Sequence, residues 1–367
     1  MIIGFDGSRA FLGERTGTEN YSYQLLKALA KIDRYNQYLI HLRSSALQGD
    51  ALRGWPRNFQ FKVINWPRFW TQGGLAIHTF NDDLDVLFIP AHTLPIIRKP
   101  GLKTVMTVHD LGVEYLPKYH QFKQQLYLKY ITRYQLRSAT KLIAVSKATK
   151  NDLVKRAEID PGKIEIVYEG YDKDKFKNDV LVDSLKHYGL VPGSYFLFVG
   201  TIQPRKNLER VIKAFAEWSS SSGLIYLVIA GSKGWLSDEI YELPKKLGIG
   251  TQVKFLGYVP EKDLPALYSG ATALLFPSLF EGFGLPILEA QASGCPVLTS
   301  NLSSMSEVAG KGAILVNPYS VEGIMEGMER IKNKELRIKL IKEGLENIKR
   351  FSWEKCAMET LKVLEAI

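Results

Sequence analysis

The stretch from Phe276 to Thr299 constrains this chain more than any other. It reads Phe276-Pro277-Ser278-Leu279-Phe280-Glu281-Gly282-Phe283-Gly284-Leu285-Pro286-Ile287-Leu288-Glu289-Ala290, then Gly294-Cys295-Pro296-Val297-Leu298-Thr299. The apolar run Ala273–Phe276 has strand length and stops at Pro277. Pro286 suits the first turn of a helix, where its missing N–H costs little, so a helix begins near Leu285. Gly282 and Gly284 lie between strand and helix. A glycine loop feeding a helix N-terminus offers backbone N–H groups to an anion, because the first turn has no helical partners for them. Glu281 and Glu289 bracket that loop and would repel a bare phosphate. A phosphate carrying sugars is different, because carboxylates accept hydrogen bonds from vicinal hydroxyls, as the ribose-holding carboxylate of dinucleotide folds does. The spacing fits a nucleotide-sugar site, and it fits a surface loop with two solvated glutamates equally well.

A length of 367 residues suits two domains with a core each. Apolar content of 46% with 23% charged residues describes an ordinary globular chain. The opening Met1-Ile2-Ile3-Gly4-Phe5-Asp6 reads as a strand and lacks the basic and apolar segments of a signal peptide. No apolar run approaches the ~20 residues of a membrane span. Cys295 and Cys356 lie in separate apolar segments and read as packed thiols of a reducing cytoplasm. The net charge of +10 is uneven. Residues 1–170 hold 24 Lys and Arg against 15 Asp and Glu, and residues 171–367 hold 24 against 23. An anionic partner should therefore meet the first half.

Short apolar runs alternate with helical patterns on both sides of residue 180, which predicts α/β layers with parallel sheets. The first half offers Met1–Asp6, Tyr38–Leu42, Phe61–Ile64, Val86–Pro90, Lys103–Val108, Lys141–Val145 and Ile164–Val167 as strands. The second offers Tyr195–Val199, Leu224–Ala230, Val253–Leu256, Ala273–Phe276, Pro296–Thr299 and Ala313–Val316. After the first strand, a loop with Gly7, Gly13, Gly17, Arg9 and Arg15 leads to a helix capped by Thr18, without the G-x-G-x-x-G spacing of a dinucleotide site. His109 follows the strand Lys103–Val108, and ligands of open α/β sheets collect beyond such strand ends; His92 follows Val86–Pro90 in the same way. Arg205 and Lys206 precede a helix that starts at Leu208, where cations oppose the helix dipole unless an anion lies between. Lys118, Lys123, Lys129, Arg133, Arg137 and Lys141 alternate with aromatics and meet no acidic residue between them. That pattern fits a helix on an anionic membrane surface, or a sheet-packed helix with a solvated charged face.

Glu281-Gly282-Phe283-Gly284-Leu285-Pro286-Ile287-Leu288-Glu289 resembles the E-x7-E motif of the retaining glycosyltransferases of the glycogen-synthase-like and mannosyltransferase-like family, glycosyltransferase family 4 type. Companion segments follow in order over nearly the whole chain. The resemblance implies a GT-B fold: two Rossmann-like α/β domains facing across a cleft, spanning 1–172 and 193–350, with a linker at 173–192. Phe351-Ser352-Trp353-Glu354 resembles the family's tail, so 351–367 should be a helix crossing back to the first domain. It further implies transfer of a hexose from a nucleotide sugar to a glycan or lipid-linked acceptor, with retention, in polysaccharide biosynthesis. His109, in Thr107-Val108-His109-Asp110-Leu111, matches the segment whose histidine approaches the transferred sugar, and His109 and Glu281 are the implied catalytic pair. Donor contacts carry over to Gly17, Lys206, Val259 near the base-reading turn, Gly282, Phe283, Gly284 and Leu285 by their amides, and Glu289 on the ribose. The family's donor-loop arginine falls on Thr201 here, so Arg205 is its implied substitute. Tyr168-Glu169-Gly170-Tyr171-Asp172 departs from the family's Asn-Gly-Val-Asp-like turn, and no role carries onto Glu169 or Tyr171.

The segment style around His109 points to GDP-mannose; a UDP-sugar donor is the nearest alternative. No metal and no cofactor are expected. The expected location is the cytoplasm, attached peripherally to an anionic membrane face, with no nucleic-acid partner. A sugar-nucleotide epimerase, a phosphorylase and a basic nucleic-acid-binding protein are the rivals. The last leaves the glycine loop and both glutamates unexplained.

Overall fold

A computed structural model describes residues 1–12, 17–43, 52–91, 93–111, 122–178, 183–219 and 225–367, without the side chains of 122–129 and 183. The chain divides into two compact units, Met1–Gly170 with Phe351–Ile367, and Tyr171–Arg350.

In the first unit the described strands are β1 (Ile2–Asp6), β2 (Gln37–Arg43), β3 (Phe59–Ile64), β4 (Val86–Ile89), β5 (Lys103–Val108), β6 (Lys141–Ala144) and β7 (Ile164–Ile166). They form one sheet in the order β3-β2-β1-β4-β5-β6-β7, each pair parallel. Continuous apolar strands such as Val86–Ile89 are buried along their length, as expected where helices cover both faces. Ser146 caps the helix Lys147–Ala157, its Oγ accepting the Thr149 N–H at 3.0 Å. The C-terminal helix Trp353–Glu365 completes this unit by packing on the helix Gly17–Ile32. Trp353 meets Tyr21 with ring centroids 5.9 Å apart, and Asn36 donates to Glu365 at 3.1 Å. Gly170 is required where the tail returns. A Cβ on it would lie 2.2 Å from the backbone nitrogen of Trp353, a distance no real Cβ tolerates.

The second unit holds β8 (Tyr195–Val199), β9 (Tyr226–Ala230), β10 (Val253–Gly257), β11 (Ala273–Phe276), β12 (Val297–Ser300) and β13 (Ala313–Val316). Their order is β10-β9-β8-β11-β12-β13, again parallel throughout. In both sheets the order reverses at one point, between β1 and β4 and between β8 and β11. Each sheet is thus Rossmann-like, with a switch point at which a crevice opens beyond the strand ends.

The expected linker 173–192 falls within the second unit. Its described part is packed on the second unit: Lys175 bridges Glu261 at 2.6 Å, Phe176 meets Tyr268, and Tyr188 donates to Asp263 at 2.8 Å. Composition suggested a free connector because the segment is polar, yet Phe176 and Leu185 are buried and anchor it. Cys295 and Cys356 are free, buried thiols, and burial pushes Cys295 up to about 12.

Candidate functional site

The β8/β11 switch point gathers most of the residues singled out in the sequence. The short turn Pro204–Lys206 follows β8 and precedes the helix Leu208–Ser219. It is stitched to the loop after β11: the Leu279 N–H donates to Arg205 O at 2.9 Å, and Asn207 donates to Pro277 O at 2.9 Å and to Pro318 O at 2.7 Å. Asn207 takes a left-handed conformation, φ 61°, which its short polar side chain tolerates. Glu281 thereby comes within reach of both cations. Arg205 lies 2.5 Å from one carboxylate oxygen and Lys206 2.6 Å from the other. Lys206 also sits 4.9 Å above the Phe276 ring.

Glu281 is buried, which alone would raise its pKa. The two cations outweigh burial and hold it at about 2. The hydroxyls of Ser303 and Ser304 lie 2.7 and 2.9 Å from Glu281 O, so the loop is fixed from a third element. Gly284 precedes the helix Leu285–Ala292 at φ 109°, a conformation that L side chains resist. Gly282 and Phe283 are already engaged by protein partners, and the Phe283 carbonyl accepts from Ser304 at 2.8 Å. The sequence had suggested free backbone groups there. Arg205 also donates to Phe280 O at 3.2 Å.

Glu289 lies one turn into the helix and accepts a 2.8 Å hydrogen bond from the Tyr268 hydroxyl. Burial is the chief cause that pushes its carboxyl up to about 7; Tyr268 and Lys175 oppose the rise, and Glu261 and Asp172 add to it. One loop thus carries two carboxylates of opposite character. Glu281 stays charged, and Glu289 titrates near neutrality. Val259 is buried beyond the end of β10, at the sheet edge two strands from β8.

In the first unit, His109 lies beyond β5 and is 8% exposed. Its Nδ1 lies 3.1 Å from Glu169, and its Nε2 donates to the Pro90 carbonyl at 2.9 Å. Tyr21 meets the ring edge-on at 4.6 Å. Burial pushes the imidazole down, but Glu169 outweighs it and the net pKa is raised. Both ring nitrogens face acceptors of the protein, an arrangement that favours the protonated imidazole. Gly17 opens the helix Gly17–Ile32, with no atom within 4 Å of where a Cβ would stand. Gly13, Arg15, Thr16 and His92 lie outside the described residues.

Sequence reasoning missed Glu169, Tyr268 and the Ser303–Ser304 pair. The signal for Glu169 was available: a buried histidine needs a partner, and the turn closing the domain carried an acid where the family has an amide. In the helix Phe122–Ser138, Tyr130 and Tyr134 are exposed, whereas Arg137 pairs with Glu158 at 2.9 Å; Lys141, which opens β6, pairs with Glu165 at 3.2 Å. Some of that one-sided charge is therefore compensated from neighbouring elements.

Two Rossmann-like parallel sheets, with a basic turn and a glutamate-bracketed glycine loop meeting at the second switch point, define a glycosyltransferase of the GT-B class. Residues 15–175 match the family described as Glycosyltransferase Family 4, and residues 191–347 match Glycosyl transferases group 1. The chain is 30% identical over 263 residues to O-antigen chain mannosyltransferase B of Escherichia coli, covering 71% of this chain and 69% of that one. It is 32% identical over 241 residues to O-antigen chain mannosyltransferase RfbU of Salmonella typhimurium, covering 66% and 63%. Sucrose-phosphate synthase from Thermosynechococcus elongatus shares the fold with a TM-score of 0.79 at 19% identity, over 100% of this chain and 98% of that one. The chain belongs to this glycosyltransferase family. No helix among the described residues is long and apolar enough to cross a membrane.

Proposed function

We propose that the chain transfers mannose from GDP-mannose to a hydroxyl of a glycan or lipid-linked acceptor, with retention and without a metal ion. The observation that carries this reading is the meeting of Arg205, Lys206 and Glu281 on the glycine loop, with Glu289 one turn further. In the step proposed, the bond between the anomeric carbon and the diphosphate oxygen breaks, and the diphosphate keeps the electron pair. The acceptor oxygen bonds to the same face of that carbon, and its proton passes to a phosphate oxygen. Arg205, Lys206 and the positive ends of two helices stabilise the charge that grows on the leaving group. Glu289, as carboxylate, holds the ribose hydroxyls. Glu281 and His109 orient the transferred sugar. Both named relatives are mannosyltransferases, which supports mannose. The test is saturation-transfer NMR with a panel of nucleotide sugars, followed by product analysis of the anomeric configuration. Binding restricted to UDP-sugars, or conversion of the donor alone to an epimer, overturns the reading.

Attachment to an anionic, cytoplasm-facing membrane through the helix Phe122–Ser138 extends the proposal, because the exposed Tyr130 and Tyr134 can enter the interface while basic neighbours meet lipid phosphates. Sedimentation with vesicles should rise with anionic-lipid content and fall when Arg133→Glu and Arg137→Glu are combined. Indifference to both changes removes the membrane role.

A further inference from the structure

The first unit contains a second cluster of chemistry-bearing side chains that the transfer reaction does not use. His41 on β2 is fully buried. In register it stands between Asp6 of β1 and Lys62 of β3. Its Nε2 lies 2.8 Å from Asp82, which ends the helix Ala76–Asn81. His78, four residues before Asp82 in that helix, brings Nδ1 to 3.3 Å from the same carboxylate oxygen. One donor atom from each of His41, His78 and Asp82 lies within 4.8 Å of the others. Ligand atoms about 2.1 Å from a tetrahedral zinc ion stand roughly 3.4 Å from one another, so the three need only small side-chain rotations to share an ion.

A second observation points the same way. His78 Nδ1, the atom that would face the ion, is buried and makes no hydrogen bond, although its nearest acid is 3.3 Å away. A buried imidazole nitrogen left unsatisfied costs roughly 1–3 kcal/mol, so a hydrogen-bond network alone accounts poorly for this arrangement. Two imidazoles and one carboxylate form a donor set suited to zinc-type ions rather than to magnesium or calcium.

We propose that His41, His78 and Asp82 bind a divalent ion of the zinc type, which staples β2 to the helix Ala76–Asn81. Binding displaces the proton between His41 Nε2 and Asp82, and a water fills the fourth position. Lys62 sits 2.5 Å from the other Asp82 oxygen and is 38% exposed, so it can swing into solvent as the ion enters. It is the competitor for the site.

The test uses the full chain, freed of metal with a chelator and titrated with zinc by calorimetry and with cobalt by visible absorption. One ion per chain with the intense bands of four-coordinate cobalt is expected, together with a rise in melting temperature. His78→Ala, at a partly exposed position, should keep the fold and weaken binding by about 100-fold. Lys62→Met should tighten it. Zinc binding that is absent at micromolar concentration, or equal in parent and His78→Ala, overturns the proposal, as does a Lys62→Met variant that binds no tighter.

Discussion

Replacing Glu281 with glutamine tests the logic of the donor site most directly. The carboxyl is held at about 2 against an ordinary value of 4.5. At about 1.4 kcal/mol per unit, that difference contributes about 3 kcal/mol to folding. The folded pKa is depressed, so the contribution is fully present above pH 4.5 and is lost as pH falls towards 2. Roughly half should remain at pH 3. Glu281→Gln should therefore cost about 3 kcal/mol at pH 7 and about half as much at pH 3. It also leaves Arg205 and Lys206 with no carboxylate to share. A bare nucleoside diphosphate should then bind the variant more tightly than the parent, although the variant is less stable. Hydrogen exchange in β8 and β11 reads the local stability, and calorimetry with GDP reads the affinity. A variant as stable as the parent at pH 7, or one that binds GDP no better, refutes the idea that Glu281 and the diphosphate compete for the same two cations.

Lys206→Ala should weaken GDP binding by about 1–3 kcal/mol, the range for a lost charged hydrogen bond, as measured by calorimetry. Glu289 titrates at about 7, so GDP affinity should rise between pH 6 and 8 as the carboxylate forms, and Glu289→Gln should flatten that profile. The raised pKa has the opposite effect on the fold: its stabilising contribution is present below pH 4.5 and is lost as pH rises through 7. His109→Ala should bind GDP as the parent does and lose most transfer activity in a radiolabelled-sugar assay. Glu169→Gln should lower the His109 pKa in an NMR titration and remove the stability that is present below pH 6.5 and lost above the raised pKa.

The parallel sheets were legible because buried parallel strands leave unbroken apolar runs. Tyr195–Val199, Ala273–Phe276 and Ala313–Val316 have the bounds read from sequence, while Leu224–Ala230 shortens to Tyr226–Ala230 within the described residues. The glycine loop was legible because its punctuation is local: strand, Pro277, two glycines, Pro286. What stayed hidden depends on pairs far apart in the chain. Glu281 meets Arg205 across 76 residues and His109 meets Glu169 across 60. Neither pairing leaves a mark in local composition. The same limit hides the packing of the segment 173–192, where isolated Phe176 and Leu185 give no periodic signal yet are buried. The cation pair was visible, but the carboxylate that holds it in place was visible only as a candidate ligand for sugar.

The return of the tail to the first unit fixes an order of events during synthesis. Residues 1–170 emerge first, but the groove beside the helix Gly17–Ile32 stays open until Trp353, Cys356 and Leu364 have been added. The second unit is continuous in sequence and can close while the ribosome is still working. At 5–20 residues per second, the intervening stretch takes roughly 10 to 40 s. The half made first is therefore finished last, and throughout that interval it presents an apolar surface of the kind that holdase chaperones cover.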